Sequence, residues 1–156
     1  MEKITNNMQK YANYKEQMGR LKKALNSEFY LEAIFIEYAV MEDRLESILR
    51  HSGKWHPKPD QFVSIDSKRK KVVKLAEEKR GLARKYFSAE LTDSIEGWVT
   101  DRNQLIHALM KQNLRADDLA ALAVRGQEIA RILCNKTKLY NRALDRAANK
   151  KETHHG

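Results

Sequence analysis

The chain carries a single cysteine, Cys134. No disulfide framework and no cysteine-built metal site can be assembled from it, and its apolar setting beside Ile132 and Leu133 marks it as a packed thiol. Two prolines, Pro57 and Pro59, and six glycines leave too little punctuation for a fold of many short strands. No run approaches the roughly 20 apolar residues that cross a bilayer, and Met1 to Asn7 lack the apolar core of a secretory signal. These absences predict a soluble, cytoplasmic protein with no membrane partner. Acidic residues are in deficit too: 21 Asp and Glu face 30 Lys and Arg, for a formal net charge of +9. That imbalance favours polyanionic partners such as RNA, DNA or a membrane surface and says nothing about fold.

What is present is helical periodicity. At 156 residues the chain fits one domain, long enough to bury a core. Ile4, Met8, Tyr11, Met18 and Leu21 recur at helical spacing over residues 4–25, with Gly19 weakening the pattern. Residues 28–50 carry two apolar stripes. One runs through Leu31, Ile34, Tyr38, Met41, Leu45 and Ile48, the other through Phe29, Ala33, Ile36 and Val40. So wide a face belongs to a central helix, or to one that faces the core on one side and a second subunit on the other. Ser52-Gly53 stops it, and Pro57 and Pro59 hold a loop of about 51–65 that Trp55 and Phe62 are expected to pin.

A basic helix over 67–86, capped by Asp66 or Ser67, follows. Next comes a helix capped by Ser88 and ending at Asn113, then a last helix from Ala116–Asp118 to about 149, with a bend possible at Asn135–Lys138. No segment alternates as a strand does. The prediction is an all-α, up-and-down bundle of four to five helices in one domain, residues 1–150, with a disordered tail at 151–156.

Chemistry concentrates in Thr100-Asp101-Arg102-Asn103-Gln104-Leu105-Ile106-His107. Arg102 falls on an apolar stripe where a hydrophobic residue is expected. Arginine grips phosphate through paired hydrogen bonds, and histidine exchanges protons near neutral pH. Asn103 and His107 share a helix face, while Arg102 lies about 140° around the axis from His107. The pair needs a common ligand or a second subunit to act together. The competing reading is structural: Arg102 pairs with Glu37 or Asp101, and His107 is a core histidine. Lys68, Arg69, Lys70, Lys71 and Lys74 form a basic run that can follow a phosphate backbone or simply face solvent. His51 and His56, without carboxylates or thiols nearby, make a poor metal site. A glycine-rich phosphate loop, a His-Glu-x-x-His pair and a carboxylate cluster are all missing, so no metal and no cofactor is expected.

Arg102-Asn103 followed by His107, on a late helix of an all-α chain, resembles the R-x(4–6)-H motif of HEPN domains. The long helix over Phe29–Leu49 is similar to the second long helix of that family. The resemblance implies a HEPN-like bundle that dimerises with Arg102 and His107 of both subunits in one cleft. It also implies metal-independent endoribonuclease activity leaving 2′,3′-cyclic phosphate ends, with Asn103 orienting the histidine or phosphate. Glu37, on the central helix with Asp43 and Arg44, can reach such a cleft as a supporting residue. The settings it suggests are toxin–antitoxin systems, phage defence or RNA processing, with RNA and an antitoxin protein as partners. Toxins paired with nucleotidyltransferase antitoxins often carry tyrosine two residues after the histidine; here that position is Leu109, which argues against control by modification there. The alternatives are a non-catalytic HEPN-like module that binds nucleotides or RNA, and a helical adaptor.

Overall fold

The computed structural model describes residues 7–154. The described residues form six helices: α1 (Asn7–Asn26), α2 (Tyr30–His51), α3 (Ile65–Glu77), α4 (Ala83–Tyr86), α5 (Ala89–Ala108) and α6 (Ala116–Thr153). No strand occurs among the described residues, and the all-α class predicted from periodicity is what the molecule adopts. Ile4, where the first helix was expected to begin, lies outside the described residues, as do His155 and Gly156.

The centre of the bundle is α2, which packs against α1, α3 and α6. Both of its apolar stripes contribute to one core: Ala33, Ile34, Val40, Met41, Leu45, Ile48 and Leu49 are all buried. Three packing partners therefore account for most of the width of the apolar face within a single chain. Each Leu or Ile fully buried here contributes about 1.5–3 kcal/mol, and truncating Leu45 to alanine would cost about 2–5 kcal/mol.

Local chemistry sets the helix ends. Gly53 takes the left-handed backbone (φ 71°) that closes α2. Its N–H donates to the Arg50 carbonyl, and the Lys54 N–H donates to Leu49, the paired bonds of a Schellman turn. Glu28 makes the same turn after α1 at φ 60°, where an L side chain is strained. The Ser88 hydroxyl accepts the Leu91 N–H at 3.2 Å and caps α5 as predicted.

Elsewhere the elements depart from the sequence pattern. The cap of α3 is Ser64, which accepts the Ser67 N–H at 3.1 Å, rather than Asp66 or Ser67. The expected basic helix over 67–86 is two helices. Glu78 turns extended, and the short α4 lets Phe87 reach Tyr140 of α6 edge-on, ring centroids 5.1 Å apart. The α5 helix stops at Ala108 instead of Asn113, because Leu109 to Asn113 are exposed and nothing packs against a further turn. No bend interrupts α6 at Asn135–Lys138: Thr137 is buried there and its hydroxyl donates to the Leu133 carbonyl at 2.7 Å. The helix runs on to Thr153 in place of a disordered segment from 151. Trp55 does pin the loop, sandwiched among Arg50, Lys68 and Lys71 at 5.3–5.7 Å. Phe62 does not; it is exposed.

Candidate phosphate-binding site around Arg102

Three elements meet at the upper end of α5. Trp98 is buried one turn before Arg102, its indole N–H donating to the Leu122 carbonyl of α6 at 3.0 Å. Asp101 points to α6, where it binds Arg125 at 2.6 Å. Arg102 points the other way, onto α2. Its guanidinium carbon stands 4.2 Å from the ring centroid of Tyr38 and 5.5 Å from that of Phe35.

The charge of Arg102 is left uncompensated. Its Nη1 donates to the Asn103 side-chain oxygen at 3.1 Å. Its Nε is buried without a hydrogen-bond partner, and no carboxylate among the described residues pairs with it. The other two arginines that are half-buried or buried differ: Arg44 binds Asp43, and Arg69 binds Asp66 and Glu96. Stacking on aromatic faces stabilises a guanidinium by about 0.5–2 kcal/mol and fixes its plane without spending its hydrogen-bond donors. Burial raises the Tyr38 phenol above its ordinary value; Glu42 adds to this, and Arg102 and Lys68 pull it back. Tyr38 is thus a neutral ring beneath the cation. The result is a planar, pre-positioned cation whose Nη2 and second Nη1 hydrogen have no partner among the described residues, a pair of donors that suits two phosphate oxygens.

His107 lies on the last turn of α5, exposed and with no hydrogen bond or ion pair among the described residues. It is not a core histidine. The structure does not bring it to Arg102: five residues of helix separate them by roughly 7.5 Å along the axis, and the arginine turns toward α2. Asn103 is exposed, touches Arg102, and lines a cavity of about 240 Å³ between α3 and α5 with Arg69, Glu96 and Thr100.

Glu37 is placed elsewhere. It is 0% exposed and packs at the α2–α6 crossing. An added Cβ at Gly126 would collide with its Oε1 and lie 2.7 Å from the Trp98 indole nitrogen. Both Glu37 oxygens lack hydrogen-bond partners, and burial pushes its pKa from 4.5 to about 9. It is a neutral acid inside the core rather than a support for the Arg102 site.

The basic run divides. Lys68 is 5% exposed, held by Glu42 at 3.3 Å and Glu46 at 3.2 Å. Arg69 is 6% exposed, held by Asp66 at 2.9 Å and Glu96 at 3.3 Å. These two are internal ties between helices and present no free charge outward. Lys70 is exposed but bound to Asp66 at 2.9 Å; Lys71 rests over Trp55, and Lys74 is exposed.

Sequence reasoning missed Tyr38 and Phe35. The available signal was Phe35, an aromatic that belongs to neither apolar stripe of α2. Among the described residues no group of three or more His, Cys, Asp or Glu is gathered to hold a metal ion, and no helix is long and apolar enough to cross a membrane. No family model, curated protein or solved structure matches the chain.

Proposed function

We propose that this chain is a metal-independent endoribonuclease of HEPN type that acts as a homodimer. The observation that carries the reading is the uncompensated guanidinium of Arg102, seated on Tyr38 and Phe35 while its neighbour Asp101 is taken by Arg125. A half-buried cation without a carboxylate is costly unless an anion completes it, and a phosphodiester is such an anion.

The chemistry follows from the residues. The 2′-oxygen of RNA bonds to the adjacent phosphorus, and its proton passes to a neutral His107. The P–O5′ bond breaks, and a protonated histidine delivers a proton to the departing 5′-oxygen. Arg102 stabilises the charge building on the non-bridging oxygens. The products are a 2′,3′-cyclic phosphate and a 5′-hydroxyl. Arg102 and His107 do not meet within one chain, so the reading places the two α5 helices face to face, with Arg102 and His107 of both protomers lining one cleft. Leu109 and Met110, the latter 92% exposed, supply apolar surface at that end of α5. Such an interface should bury more than about 1,000 Å². RNA incubated with the protein in EDTA, its ends analysed for cyclic phosphate, tests the reading; intact RNA at high enzyme concentration contradicts it.

A second reading is a binding module without catalysis, in which Arg102 holds a phosphate and His107 takes no part. It is favoured by the exposed, unpartnered state of His107. Arg102-dependent RNA binding without cleavage selects it. Toxin–antitoxin, phage-defence or RNA-processing roles, with an antitoxin as partner, belong to the ribonuclease reading.

A further inference from the structure

We propose that Phe35 is the base-stacking platform beside Arg102, so that the site takes an unpaired RNA strand rather than a duplex. This rests on the ribonuclease reading above and adds to it the form of the RNA.

Phe35 is 52% exposed although it sits on the central helix. One side of its ring faces the Arg102 guanidinium at 5.5 Å. The ring also borders a trough of about 1060 Å³ between α1 and α2. The charges lining that trough cancel: Lys10, Arg44 and Arg50 stand against Glu32, Asp43 and Glu46. A surface that follows a phosphate backbone carries a positive excess, and this trough does not. The local division is a cation for the phosphate and an open aromatic face beside neutral space for the base. One nucleotide can span the two, its phosphate on the unpartnered Nη2 of Arg102 and its base against Phe35.

The form of the RNA follows from access. In an A-form duplex the bases are stacked on one another and the major groove is deep and narrow, so a ring fixed on a helix surface cannot reach a base face. In a loop or single strand the base can splay out and stack on an aromatic side chain, without sequence preference from the ring itself.

The test uses the full chain and a short 2′-O-methyl RNA oligonucleotide carrying one 2-aminopurine, offered single-stranded or annealed to its complement. Methylation of the 2′-oxygen removes the nucleophile, so binding is read without cleavage. The wild-type protein should bind the single strand more tightly than the duplex and change the 2-aminopurine fluorescence on binding. Phe35→Leu, which keeps the apolar volume and removes the π face, should weaken single-strand binding roughly 5- to 100-fold and abolish the fluorescence change. Phe35→Trp should retain both, and if Phe35→Leu fails to fold, loss of the fluorescence change in Phe35→Ser replaces it. Unchanged binding and fluorescence in the Leu variant overturn the proposal, as does equal affinity for the duplex. Conversion of a dimer to a monomer by Phe35→Leu also overturns it, because the ring would then be covered by a second copy. Arg102→Ala separates the two levels: if it weakens binding while Phe35→Leu does not, only the stacking platform fails. If Arg102→Ala leaves both binding and cleavage of unmodified RNA intact, the ribonuclease reading itself fails.

Discussion

Glu37 should make the protein lose stability as the pH rises through neutrality. Its carboxyl is fully buried, neither oxygen has a partner, and burial holds it protonated to about pH 9 against an ordinary value of 4.5. A carboxyl raised on folding contributes stability that is complete below its unfolded pKa and is lost as pH climbs toward the folded one. The loss is about 1.4 kcal/mol per pH unit, so roughly 3 kcal/mol should disappear between pH 6 and pH 8. That is a large share of the roughly 5–15 kcal/mol that holds a domain folded. The lowered carboxylates, Glu46 and Asp66, act with the opposite sign: burial of Glu46 is outweighed by Arg50 and Lys68, and Asp66 is held down by Lys70 and then Arg69. Their contribution is present above their unfolded values and is lost only in acid, so they add no slope in this window. Glu37→Gln keeps the shape and stays neutral throughout. Urea unfolding at constant ionic strength should give a falling stability for the wild type and a much flatter one for Glu37→Gln, the two curves approaching each other near pH 5. Parallel curves from pH 6 to 8 would show that Glu37 is not held protonated by burial.

Further outcomes follow from the packing and the surface charge. Gly126→Ala should destabilise by about 1–3 kcal/mol despite its better helix propensity, because the new Cβ meets Glu37 and Trp98; thermal denaturation reads it. Glu28→Gly should raise stability by about 0.5–1 kcal/mol, since it relieves a left-handed backbone at φ 60°, and a lower midpoint would show that the side chain matters more than the backbone. Lys68→Met should cost about 1–3 kcal/mol by leaving Glu42 without its partner and Glu46 with Arg50 alone. A combined Lys71→Ala and Lys74→Ala variant should lose only about 0.5–1 kcal/mol of stability, from the Lys71 contact with Trp55, and flatten the salt dependence of RNA binding, the slope falling by about 0.7 for each phosphate that is no longer neutralised.

Much of the fold was legible because the signals were local. The two stripes of α2, the Ser52-Gly53 stop and the Ser88 cap each depend on neighbours a few residues away, and each recurs in the structure. What escaped depended on tertiary partners. The end of α3 at Glu78 lets Phe87 meet Tyr140 from a distant helix, and Thr137 continues α6 through a stretch whose polarity suggested a bend. The site divides in the same way. Arg102 stood out because a cation occupied an apolar stripe. That Asp101 would turn to Arg125, and that Lys68 and Arg69 would be spent inside the bundle, depends on which faces meet, and periodicity does not encode that. Glu37 read as a charge near the site, yet at the α2–α6 crossing it is a buried neutral acid.

The most direct test of the central claim is RNA cleavage in EDTA by wild type, Arg102→Ala and His107→Ala at matched folded fraction. Both side chains lie outside the buried core, so the variants should keep their helical content. Removing the proton-transfer group should cost on the order of 100- to 10,000-fold in rate, and removing the transition-state cation a similar factor. Wild-type products should end in 2′,3′-cyclic phosphate, and cleavage should be almost completely lost in both folded variants. Full activity from a well-folded His107→Ala protein would contradict the claim.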